Sequence, residues 1–178
     1  MRFKVVSGGQ TGVDRAALDV ALTFGLDCGG WCPKGRLAED GTIPAKYPLS
    51  ETKSPEYHVR TQRNVEGSSA TLVVTRGAPT GGTRFTVEVA QSIRRPVLIA
   101  DLDYGEAVVA EKIASWLHQS KPRILNVAGP RESGAPGITE QACRVLATAF
   151  ELAGLRDGKL RTFVAAQTRS PADARLAD

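Results

Sequence analysis

Residues 3–21 read FKVVSGGQTGVDRAALDVA. Phe3–Ser7 is a short apolar run ending at a glycine pair, the pattern of a buried strand. From Val13 onward the apolar residues Val13, Ala17, Val20, Ala21 and Phe24 share one helical face. The turn between them, Ser7-Gly8-Gly9-Gln10-Thr11-Gly12, contains three glycines and two hydroxyls. A strand feeding a helix through such a turn aims backbone N–H groups and a positive helix end into one space, which suits an anion such as phosphate. Gly8, Gly9, Gln10, Thr11 and Gly12 are therefore candidate ligand residues. Thr11 is expected to cap the helix, with Asp14 as its partner three residues on. Gly12→Asp is expected to abolish binding and leave the fold intact.

Further along, the same strand-to-helix alternation recurs. Leu26–Trp31 reads as a second short strand, and residues 31–48 as a long loop with three prolines and two glycines. A loop of this length inside one domain is more often functional than idle. It contributes Arg36 as a candidate ligand residue, while Glu39 and Asp40 are read as solvated carboxylates. Helices are expected over residues 56–67, 83–94, 106–119 and from Ile138, and strands over residues 70–75, 96–100 and 123–128. The strands are apolar rather than alternating, which argues for a mostly parallel sheet covered on both faces, a three-layer α/β/α fold of Rossmann-like type.

Three strands end in glycine-rich turns, after Ser7, Thr75 and Ala128. In a parallel sheet all three turns lie at the carboxyl edge, where ligands of such folds bind. The second turn leads into Thr80-Gly81-Gly82-Thr83, opening a helix that carries Arg84 and Glu88; its N–H groups suit a phosphate, and Glu88 is a candidate acid/base. The third turn supplies Gly129, Arg131 and Ser133, with Arg131 suited to a bidentate grip on an oxyanion.

Composition narrows the function. The chain has 178 residues, is 42% hydrophobic and 24% charged, and carries a net charge of +4. Residues 156–178 hold five basic and three acidic side chains, so the tail supplies +2 and the body only +2. A nucleic-acid partner usually meets a denser basic stripe and more aromatic platforms than the 6% found here, so single-stranded nucleic-acid binding is not expected. Three cysteines without regular spacing and two histidines form no metal-site pattern, and no protein-bound metal is expected. No membrane-spanning run is present and a strand begins almost at the first residue, so a cytoplasmic protein is expected. Residues 1–154 are read as one ligand-binding domain and 155–178 as a mobile or loosely docked tail, with an apolar trio at Thr162–Val164.

Ser7–Asp19 (SGGQTGVDRAALD), Gly30–Gly41 (GWCPKGRLAEDG) and Asn126–Ser133 (NVAGPRES) together resemble the molybdenum cofactor carrier family, over about residues 1–154. The resemblance implies a Rossmann-like fold of the group that includes the Lonely Guy/lysine-decarboxylase-like proteins and DprA. It further implies a homo-oligomer, dimer or tetramer, and the pterin-based molybdenum cofactor as ligand, with a nucleotide as the other candidate. The Lonely Guy enzymes hydrolyse nucleoside 5′-monophosphates through a motif Pro-Gly-Gly-x-Gly-Thr-x-x-Glu and an upstream helix arginine. Here Gly81, Gly82 and Glu88 match, Thr80 replaces the proline, and Arg84 and Phe85 replace Gly-Thr. Arg60 falls where the helix arginine stands. Two functions follow: a carrier holding a phosphate-bearing, nucleotide-like ligand, or a phosphoribohydrolase using Glu88 and Arg60.

Overall fold

Strand β1 (Lys4–Val6) runs through the first glycine turn into helix α1 (Val13–Thr23), as the opening stretch predicts. The structure, a computed structural model, describes residues 2–156 and 159–160. After α1 come β2 (Asp27–Gly29), the two-residue strands β3 (Trp31–Cys32), β4 (Leu37–Ala38), β5 (Gly41–Thr42) and β6 (Ser50–Glu51), and helix α2 (Tyr57–Glu66). Then follow β7 (Ala70–Thr75), α3 (Gly81–Ser92), β8 (Val97–Asp101), α4 (Glu106–Ser120), β9 (Ile124–Ala128), α5 (Ile138–Leu152) and a short hairpin of β10 (Leu155–Arg156) and β11 (Lys159–Leu160).

Five strands form one parallel sheet in the order β2-β1-β9-β7-β8. Helices α1, α4 and α5 pack together on one face, and α2 and α3 on the other. This is the Rossmann-like α/β/α arrangement expected. The stretch expected as one strand at Leu26–Trp31 divides at Gly30: Asp27–Gly29 joins the sheet, while β3 leaves it to pair with β6. Helix α3 begins two residues earlier than expected, taking Gly81 and Gly82 into its first turn.

The two sheet faces differ in chemistry. Ala70, Leu72 and Val74 of β7, Leu125 and Val127 of β9 and Val5 of β1 join one hydrocarbon core with α1, α4 and α5. Strand side chains alternate between faces, so the other face receives Thr71, Thr75 and Asn126, all buried and all polar. Polar side chains also come from α2 and α3, namely Asn64, Thr83 and Thr86. The sheet is sealed by hydrocarbon on one side, while on the other hydroxyls and amides stand beside buried Val73.

Leu155 is fully buried in the hydrocarbon core, so packing continues into the first hairpin strand. Thr162–Val164 lies outside the described residues. Among the described residues no helix is long and apolar enough to cross a membrane.

Phe150 is the largest fully buried side chain among the described residues, with its ring edge-on to Phe3 at 6.3 Å and Phe24 at 6.1 Å between centroids. It ties the last helix to the start of the chain. Phe150→Ala is expected to cost about 3–5 kcal/mol, seen as a lower urea midpoint with an unchanged slope.

Candidate functional site

The central strands β1, β9 and β7 are neighbours, so their three glycine-rich turns meet at one edge of the sheet. On the polar side of that edge lies a cleft of about 520 Å³. Gly8, Gln10, Arg60, Thr80, Gly81, Gly82, Thr83, Gly129 and Arg131 line it, bringing together nine of the candidate residues.

The floor is built around one ion pair. Arg60 Nη1 on α2 donates to Asp14 Oδ2 on α1 at 2.5 Å, with 14% and 5% of the two side chains exposed. A Cβ at Gly8 would coincide with this guanidinium, so glycine is required here for a close approach of side chain to backbone. Gly8 thus makes room for Arg60 beside the turn. The backbone N–H of Gln10 also donates to Asp14 Oδ2, at 3.3 Å. Asp14 is therefore the partner of a cation and of the turn. It is not the second half of a cap: the N-cap of α1 is Gly12, and no side chain caps it. Thr11 instead turns its hydroxyl away to Glu39.

Gln10 is 5% exposed and has a fixed orientation. Its Oε1 accepts from the N–H of Thr11 at 3.0 Å and of Glu39 at 2.9 Å. Two donors require the oxygen at that position, so the amide nitrogen faces the other way. Nε2 of Gln10 and Nε of Arg60 are buried nitrogens without a hydrogen-bond partner among the described residues.

Gly9 is buried, and a side chain there would run into Leu49, just after the long loop. Thr11, Gly12 and Ser133 line an adjoining groove with Arg15, Glu39 and Asp40. The wall between groove and cleft is the contact of Gly12 with Pro130 and Arg131, across which Val13 N donates to Pro130 O at 3.2 Å. Gly12 has φ +80, and a Cβ would clash with the Pro130 carbonyl. The expectation that Gly12→Asp spares the fold is thereby corrected, since the substitution strains the wall itself.

Glu39 and Asp40 are also corrected, from solvated carboxylates to fastenings. Glu39 accepts from the hydroxyls of Thr11 and Ser133 and from Ser133 N, linking the long loop to the first and third turns. Burial opposes its ionised form, but the bonds from Ser133 and Thr11 outweigh it and hold the carboxyl below its ordinary range. Asp40 takes a two-pronged bond from Arg15, at 2.5 and 2.7 Å, which lowers its pKa in the same direction. Arg36 points inward to its own loop and donates to the carbonyls of Ile43, Pro44, Tyr47 and Leu49. Its fork gathers the loop and does not line the cleft.

At the mouth, Arg131 lies over the Tyr57 ring at 5.7 Å and 3.8 Å from Glu39. Arg76 reaches across to Gln141 Oε1 at 2.8 Å and to the Pro136 carbonyl at 2.9 Å. Glu88 does not line the cleft; it is exposed on α3 and paired with Arg84 at 2.8 Å. Sequence reasoning did not single out Arg76, Thr75 and Asn126, which line the cleft. The available signal was Thr71 and Thr75 of β7 and Asn126 in the middle of β9, polar residues out of place in strands buried on both sides.

With this geometry in place, the chain belongs to the circularly permutated YpsA SLOG family, which matches residues 5–150. It is similar to the crystal structure titled "Putative molybdenum carrier protein" from Syntrophus aciditrophicus SB. The identity is 40%, with 83% of this chain and 94% of that chain covered and a TM-score of 0.81. No curated protein matches the chain.

Removing Arg60 alone would leave a buried carboxylate uncompensated. Arg60→Met is expected to destabilise the protein by about 3–5 kcal/mol, and adding Asp14→Leu to the same chain to restore most of the loss. Urea unfolding of the two single variants and the double variant measures the coupling.

Proposed function

We propose that this family member carries a phosphate-bearing, nucleotide-like molecule in the cleft, with the molybdenum cofactor as the cargo; a similar solved structure carries the name of a molybdenum carrier. The observation that supports this best is the start of α3. Gly81 and Gly82 line the cleft, and a Cβ on either would meet nothing within 4 Å. A phosphate seated there would face the free N–H groups and positive end of a helix. Arg76 and Arg131 line the same cleft and add charge; Arg60 adds little, because Asp14 neutralises it.

The size of the cleft falls in the usual range of small-molecule sites, about 300–1,000 Å³. The pterin cofactor and a nucleotide share a terminal phosphate and a flat heteroaromatic ring, so either fits this design. The residues present fit the organic part of the cofactor: a phosphate seat at α3 and buried nitrogen donors on Gln10 and Arg60. Among the described residues no group of three or more His, Cys, Asp or Glu side chains is gathered to hold a metal ion. When bound, the cofactor would bring its own metal as cargo. A cytoplasmic homo-oligomer goes with this reading as part of the proposal.

Phosphoribohydrolase activity ranks second. Arg60 lines the cleft in its favour, but Glu88 is turned to Arg84 outside it.

Gly82→Asp tests the phosphate seat, because its Cβ has open space and an acidic residue suits a helix start. The affinity for nucleoside 5′-monophosphates is expected to fall about tenfold or more, with Tm within about 2 °C of the parent. Gly82→Ala serves as the size control. Unchanged affinity in calorimetry refutes the seat, and free base released during the same incubations would move the assignment to the hydrolase.

A further inference from the structure

Two facts about the cleft floor go beyond a seat for phosphate. The first is that its inner donors are fixed and unsatisfied. Gln10 Nε2 is buried, without a partner among the described residues, and held in its orientation by two N–H donors on the amide's other end. Arg60 Nε is likewise buried and without a partner, and both residues line the cleft. A buried donor left unpaired is costly, so a ligand that supplies the acceptor gains that energy. The second is that the floor has no net charge: Arg60 and Asp14 are paired at 2.5 Å. A phosphate is drawn to the outer seat at α3, not to this neutral pair.

We propose that Gln10 and Arg60 read the ligand's heterocycle, selecting a ring that presents a carbonyl oxygen (a 6-oxopurine or a pterin) over one that presents an amino group. This rests on the cleft being the nucleotide-like ligand's site. A carbonyl oxygen has two lone pairs, enough to accept an N–H from each residue. An amino group at the same ring position turns its own N–H bonds toward donors, and both sides remain unsatisfied. Sites built on buried hydrogen-bonding groups discriminate strongly against partners that cannot complete them. Gly8 belongs to the same device, since any side chain there would displace the guanidinium.

Inosine and adenosine 5′-monophosphates differ at that one ring position and carry the same phosphate, so calorimetric titration of the full chain with each isolates the effect. The inosine nucleotide is expected to bind about tenfold or more tightly. Gln10→Glu keeps an oxygen for Thr11 and Glu39 while replacing the donor with an acceptor. It is expected to bring the ratio to about one or below, with the adenosine nucleotide still bound. Gly82→Asp is expected to weaken both nucleotides equally. Equal affinities in the parent chain, or a ratio unmoved by Gln10→Glu, overturn this inference and leave the phosphate seat standing. If neither nucleotide binds the parent chain, both the inference and the reading of the cleft fall. Should Gln10→Glu fail to fold, the parent chain's ratio decides alone.

Discussion

The ion pair of Arg60 with Asp14 is the contact on which the site depends. It joins α2 to α1 beneath the first glycine turn, in space left by a missing side chain at Gly8. Burying two charges is expensive, and their attraction offsets that cost only where further hydrogen bonds complete the geometry. Here Asp14 also accepts from the backbone of Gln10, so the pair fixes the turn as well as the helices. Either half of the pair alone would leave an uncompensated buried charge. The pair sets the position of Gln10, whose amide is then locked by Thr11 and Glu39.

Around this floor the protein is divided into a dry half and a wet half. Phe150, Leu72, Leu125 and their neighbours make the side between the sheet and α1, α4 and α5 pure hydrocarbon. That half gathers most of the buried apolar side chains among the described residues. The opposite side contains Thr71, Thr75, Asn126 and Asn64, and Asn64 bonds to both the N–H and the carbonyl of Trp31, at 2.8 and 3.0 Å. With much of its stability secured elsewhere, that side can remain polar and partly open.

The fold was largely legible in the sequence, because strand–turn–helix units are local patterns. Apolar runs closed by glycines gave β1, β7 and β9 within a residue or two, and the convergence of their turns follows from parallel pairing. The candidate site was legible as a region and less so as roles. Arg36, Glu39 and Asp40 are charged residues in a proline-rich loop, and nothing local indicates that Arg36 holds four carbonyls or that Glu39 spans to Ser133, 94 residues away. Asp14 three residues after Thr11 matches a cap in sequence. Only the position of α2, 46 residues on, reveals that its partner is Arg60. Long-range pairing is what one-dimensional patterns omit.

Strand β9 is the last of the five sheet strands in chain order, yet it lies at the sheet's centre. Ser7 closes its hydrogen bond to Val127 across 120 residues. Until β9 is present, β1 and β7 have no common neighbour, and each keeps a bare edge of hydrogen-bonding groups. Closure over such a separation is slow. On a ribosome extending the chain at about 5–20 residues per second, those edges stay open for on the order of ten seconds. The cleft therefore cannot form until β9 has been made, and up to that point β1 and β7 present open edges.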